Sequence, residues 1–175
     1  MNPAVNVPKS VLAAHGVNAE VIIAETGASR ADQTEQADLA IKAFVHAAST
    51  GASRVYLHGL WDLPRWSAGV LENTPPGQMP VRKPSFVACQ TLIRMIGKNH
   101  GVRYLGPGRY RVMLPEDKSV YIVWSEKHDE GKPDFLLGRI RVTTLKNEVQ
   151  EIDVDEWKWS SHPVIVEPLQ KSTDR

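Results

Sequence analysis

The sequence predicts an α/β half followed by an all-β half: a strand, helix, strand unit first, then a small antiparallel sheet or sandwich. Three observations predict it. The apolar run Val21-Ile22-Ile23-Ala24 reads as a strand, and it ends on the acid Glu25, ahead of Thr26-Gly27, where a turn former would be ordinary. A helical repeat follows, and after it a second apolar run at residues 54–62. Beyond Gly97 the spacing of apolar residues changes from helical to alternating, and turn formers recur at regular intervals.

Taken in order, residues 7–14 form a weak helical stretch with a stop at Gly16. The strand ending at Glu25 comes next. Asp32 and Glu35 have the spacing of a capping box, and Ala37, Ile41, Phe44, Val45 and Ala48 make one apolar stripe before Gly51. The segment between the two strands is long enough for the crossover that joins parallel neighbours. After Asp62, Pro64, Pro75, Pro76, Gly77 and Pro80 mark a long loop. Pro84 opens another helix, with Phe86, Cys89, Ile93 and Ile96 on one face and Gly97 at its end. Strands are then expected at residues 109–114, 120–124, 136–145, 149–154 and 164–167, separated by Pro- and Gly-containing turns. The α/β part takes residues 1–97, the β part 98–168, and 169–175 form a tail.

Composition narrows the function. With 21 Lys+Arg against 20 Asp+Glu, the formal net charge is +1, which gives no footprint for nucleic acid or an anionic membrane. A single cysteine, Cys89, excludes an internal disulfide and a Cys-based zinc cluster, and its neighbours Val87 and Ala88 suggest packing. The six histidines are scattered without ligand spacing, so no metal and no cofactor is expected. No basic, apolar leader and no run near the ~20 apolar residues of a membrane span is present, so the chain as written reads as cytoplasmic.

Glu25 is the residue that asks for a function. Parallel α/β folds gather their chemistry at the C-terminal ends of their strands, and a carboxylate stands at that position here. The ordinary alternative is a solvated strand-end acid paired with Arg30 or Arg54.

Together, Ile23-Ala24-Glu25-Thr26-Gly27, Glu35-Gln36-Ala37-Asp38, Gly59-Leu60-Trp61-Asp62 and Arg82-Lys83-Pro84-Ser85-Phe86 resemble the last quarter of a retaining (β/α)8 glycoside hydrolase of clan A. The trailing strands resemble the β-sandwich appended in the β-xylosidase and α-L-iduronidase type. The resemblance implies a partial barrel, its last two strands and helices, followed by a small antiparallel β-sandwich. It implies that Glu25 is the nucleophile at the end of the seventh barrel strand, and that Trp61, at the end of the eighth, is the floor for the sugar. His58 and Trp66 are further candidates for substrate binding, although His58 also suits a plain hydrogen-bonded role and Trp66 a cover for the rim.

Retaining hydrolysis needs one carboxylate to attack the anomeric carbon and a second carboxylic acid ~5 Å away to protonate the leaving oxygen. The family's general acid follows an asparagine, usually as Asn-Glu-Pro, and that motif is absent; the pair Asn147-Glu148 precedes Val149 in what reads as a hairpin turn. A barrel also needs eight strands and typically ~250 residues. The expectation is therefore a fragment or truncated form, inactive alone, whose partners are a carbohydrate and either the missing barrel portion or further copies of itself. The alternative is a non-catalytic carbohydrate- or protein-binding module that self-associates, with Trp124, Trp157 and Trp159 as its aromatic surface; Trp157 and Trp159 would share one face if they lie on a strand.

Overall fold

The computed structural model describes residues 3–26, 32–62, 67–125, 127 and 131–169, the first six of these as backbone. Two compact units divide the chain, Met1–Gln90 and Thr91–Arg175. The architecture is mixed, with helices, a small parallel sheet and a six-stranded antiparallel sheet.

In the first unit, helix α1 (Pro3–Ala14) ends where Gly16 takes φ +68°, a left-handed conformation that costs glycine little. The amide of Val17 then donates to Leu12 O at 2.8 Å and that of Gly16 to Ala13 O at 3.0 Å, closing the last turn. Strand β1 (Ile22–Thr26) follows, then helix α2 (Gln33–Ser49) and strand β2 (Arg54–Leu57). The expected cap is present: Asp32 Oδ1 accepts from the amides of Thr34 at 2.7 Å and Glu35 at 3.1 Å. Those amides have no partner inside the helix, so Asp32→Ala is expected to lower the unfolding free energy of this unit by about 1 kcal/mol, and Asp32→Asn by much less. Urea unfolding followed by far-UV circular dichroism measures both.

β1 and β2 are parallel, with Ile22 opposite Arg54 and Ile23 opposite Val55. Among the described residues they pair only with each other, so the outer edge of each strand is open. α2 packs on both strands, burying Ala37, Ala40, Ile41 and Val45. Ile23, Val55 and Leu57 are half-buried, while Ile22, Ala24 and Tyr56, which alternate with them, are exposed. One face of this sheet is thus covered and the other carries uncovered apolar side chains.

Helix α3 (Pro84–Ile96) runs across the division between the units. Its inward stripe differs from the expected one. Ser85, Ala88, Leu92 and Ile96 are buried, whereas Phe86 and Cys89 are half-buried and Ile93 is 68% exposed. The two stripes lie side by side on the helix and both satisfy a 3.6-residue repeat, so periodicity alone does not choose between them. Burial pushes the Cys89 thiol up to about 11, which leaves it protonated and inert near neutral pH, in keeping with a packing role.

In the second unit, strands β3 (Gly101–Gly106), β4 (Arg109–Met113), β5 (Ser119–Val123), β6 (Arg139–Thr144), β7 (Val149–Asp153) and β8 (Val164–Pro168) form a single antiparallel sheet in the order β3-β4-β5-β8-β6-β7. The two facing sheets of a sandwich are replaced by one continuous sheet, because β8 hydrogen-bonds to both β5 and β6. Val123, Ile140, Val142, Val164 and Val166 form a core on one face with Leu136, Val154 and Trp159. Val120, Ile122 and Ile165 are buried on the other, so the central strands are enclosed on both sides.

Candidate functional site

Glu25 stands at the C-terminal end of β1, beside a break in the β1–β2 register. Pairing runs Ile22 to Arg54 and Ile23 to Val55, then resumes three residues later with Thr26 opposite Leu57, two residues on. One extra residue is therefore accommodated in β1 at Ala24-Glu25. Such a bulge bends the strand and re-aims side chains, and bulges concentrate next to active sites. The amide of His58, the first residue beyond β2, donates to Thr26 O at 2.8 Å, which fixes the two strand ends together.

That arrangement places His58 Nδ1 3.0 Å from Glu25 Oε2, with the Glu25 side chain 71% exposed. A protonated Nδ1 at this distance donates a hydrogen bond to one carboxylate oxygen, while most of the Glu25 side chain remains in solvent. The sequence separates these residues by a whole crossover; the parallel pairing brings them together. Arg54, one of the ordinary partners considered for Glu25, instead lies 3.9 Å from Glu20.

β2 stops at Leu57, earlier than the run 54–62 suggested, because Gly59 takes φ +79° and turns the chain. Trp61 therefore lies beyond the strand, where it forms an isolated parallel bridge with Leu71 and is 41% exposed. Trp66 lies outside the described residues.

Sequence reasoning missed a buried ion pair beside Trp61. Lys83 Nζ lies 2.9 Å from Asp62 Oδ1 and 3.1 Å from Oδ2, and donates to Ser67 O at 3.0 Å. The Lys83 side chain is 2% exposed and that of Asp62 19%. Within Arg82-Lys83-Pro84-Ser85 the lysine reads simply as a polar residue ahead of a helix, and nothing local signals that it turns inward.

The aromatic surface proposed for the second unit is corrected. Trp157 follows a single 3-10 turn (Val154–Glu156) and is not on a strand. Its ring meets that of Trp159 edge-on at 5.5 Å, and Trp159 is buried with its Nε1 donating to Gly131 O at 2.8 Å. Trp124 stacks on Tyr110 with ring centres 5.3 Å apart. Trp157 and Trp159 therefore present no common flat face, since their rings are perpendicular and Trp159 is buried, while Trp124 is half-buried against Tyr110. This unit also has a cavity of about 320 Å³ beside the β4–β5 hairpin, near Arg94, Lys98 and Lys118. Two of those cations are engaged by partners, Arg94 by Asn147 Oδ1 and Lys118 by Glu116 at 2.7 Å.

Among the described residues, no group of three or more His, Cys, Asp or Glu side chains is arranged to hold a metal ion, and no helix is long and apolar enough to cross a membrane. No family model matches the chain, and no curated protein matches it in sequence.

Proposed function

We propose that this chain carries the nucleophile of a retaining glycoside hydrolase, and that its first unit is the last quarter of a (β/α)8 barrel. The observation that carries this reading is Glu25, on a bulge at the C-terminal end of a parallel strand and held by His58 from the end of the next. The exposed face of Ile22, Ala24 and Tyr56 and the open edges of β1 and β2 support the partial barrel. In a closed barrel that face points inward and the edges are paired.

In the mechanism, the free oxygen of Glu25 attacks the anomeric carbon and the glycosidic C–O bond breaks. The leaving oxygen takes its proton from a general acid supplied by another part of the completed barrel. Water then cleaves the glycosyl ester and restores the carboxylate, with the configuration retained by double inversion. His58 orients the nucleophile, and the Trp61 ring receives the C–H-rich face of the sugar. The substrate class is a carbohydrate O-glycoside, with β-xylosides the first to try on the sequence resemblance.

The test is covalent trapping. The native protein, isolated from its own cells so that whatever completes the barrel travels with it, is incubated with 2-deoxy-2-fluoro-β-D-xylosyl fluoride, whose leaving group needs no protonation. Peptide mass spectrometry is expected to find the sugar esterified to Glu25. A label on a different carboxylate of the chain, with Glu25 unmodified, removes Glu25 from the role.

A further inference from the structure

We propose that the buried Lys83–Asp62 pair is a positioning device for Trp61, holding the ring in place for a sugar by locking the backbone beneath it. The proposal rests on the reading of Trp61 as the sugar floor.

The ammonium of Lys83 has three N–H donors, and three oxygen atoms face it: both carboxylate oxygens of Asp62 and the carbonyl of Ser67. Asp62 Oδ1 also accepts the amide of Gly69 at 3.0 Å. From α2, Gln36 Nε2 donates to Ser67 O at 3.0 Å and to Gly69 O at 3.2 Å. The segment 67–71 is thereby drawn against residues 60–62, where the amides of Val70 and Leu71 both donate to Leu60 O, at 3.1 and 3.0 Å.

The fit under Trp61 leaves no slack. A Cβ built on Gly69 would lie 2.2 Å from Trp61 C, 2.5 Å from Trp61 O and 2.4 Å from Asp62 N, so only glycine permits this approach. Leu71 bridges Trp61 on one side and Arg82 on the other, which links the ring's backbone directly to the residue before Lys83. An exposed aromatic ring on an immobilised backbone loses little freedom when a ligand stacks on it, and this preorganisation is what a binding platform requires. A buried ion pair is poor evidence of a stabilising role, since an apolar pair of similar volume often serves folding as well. Fixing one geometry is the role that remains for it.

The experiment follows the ring itself. Acrylamide quenching of Trp61 emission, isolated by subtracting the Trp61→Phe protein, is compared in the 175-residue chain, Lys83→Met, the charge-free pair Asp62→Asn/Lys83→Met, and Gly69→Ala. The charge-free pair keeps the test valid if Lys83→Met alone fails to fold. Every folded variant is expected to raise the Trp61 quenching constant by about twofold or more, with the emission of the other tryptophans unchanged. Parent-like quenching of Trp61 in the folded charge-free variant would overturn the proposal. Titration with methyl β-D-xyloside judges the underlying reading separately. If Trp61→Phe binds it as the parent does, the sugar floor is lost, whereas the quenching constants still decide whether the pair positions the ring.

Discussion

Replacing Glu25 by Gln in the native protein is expected to lower hydrolysis of an aryl β-xyloside by about 10³-fold or more, on the scale seen when a covalent nucleophile is removed. The amide keeps the volume of the carboxyl group and its oxygen can still face His58, so the fold should not change. What disappears is the anionic oxygen that bonds to the anomeric carbon. By transition-state arithmetic, 10³-fold corresponds to ~4 kcal/mol of lost stabilisation. Shortening the side chain sharpens the test: with Glu25→Ala, azide entering the vacated space should attack the activated substrate once and yield a glycosyl azide of inverted configuration. Progress curves and product stereochemistry read both effects. Glu25→Gln activity within tenfold of the parent would eliminate the double-displacement reading.

Lys83→Met is expected to destabilise the first unit by about 3 kcal/mol, at the lower end of the range for breaking a buried ion pair. The lower end applies because the Asp62 side chain is 19% exposed and water can relieve part of the cost. Met preserves the apolar stem of Lys83 while leaving the carboxylate with the Gly69 amide but without its cation. Adding Asp62→Asn removes the uncompensated charge, so the double variant should recover most of the loss. The coupling, read from urea midpoints, separates a broken pair from a badly packed methionine. Equal losses in the single and double variants would show that packing, not charge, governs this position.

Much of the first unit was legible because its signals are local. Asp32 marks the start of α2 through its own short contacts with the backbone, and the apolar runs that begin at Val21 and Arg54 contain the two strands, the second of which is shorter than its run. The Glu25–His58 contact was not legible, since it depends on register: the bulge at Ala24-Glu25 decides which side chains meet, and no spacing in the sequence encodes it. Lys83 and Asp62 are far apart in sequence, separated by a proline-rich stretch, and they meet only in the tertiary structure. In the second unit β3 was missed. Gly101 and Gly106 bound it, and Arg103, Tyr104 and Leu105 are exposed in succession, so this edge strand lacks the alternation by which buried strands are recognised. The tryptophan pair was misplaced because spacing of i and i+2 identifies a common face only on an extended chain, and Trp157 directly follows a 3-10 turn.

The position of β8 has a consequence for how the second unit is assembled. Among the described residues it is the last strand in sequence, yet it lies between β5 and β6 and is the one ladder neighbour they share. Without residues 164–168 the remaining strands separate into a three-stranded meander and a lone hairpin, each presenting a raw hydrogen-bonding edge flanked by valine and isoleucine. A partly synthesised or clipped chain is thus sticky at two places at once, and one short ribbon, Val-Ile-Val-Glu-Pro, silences both.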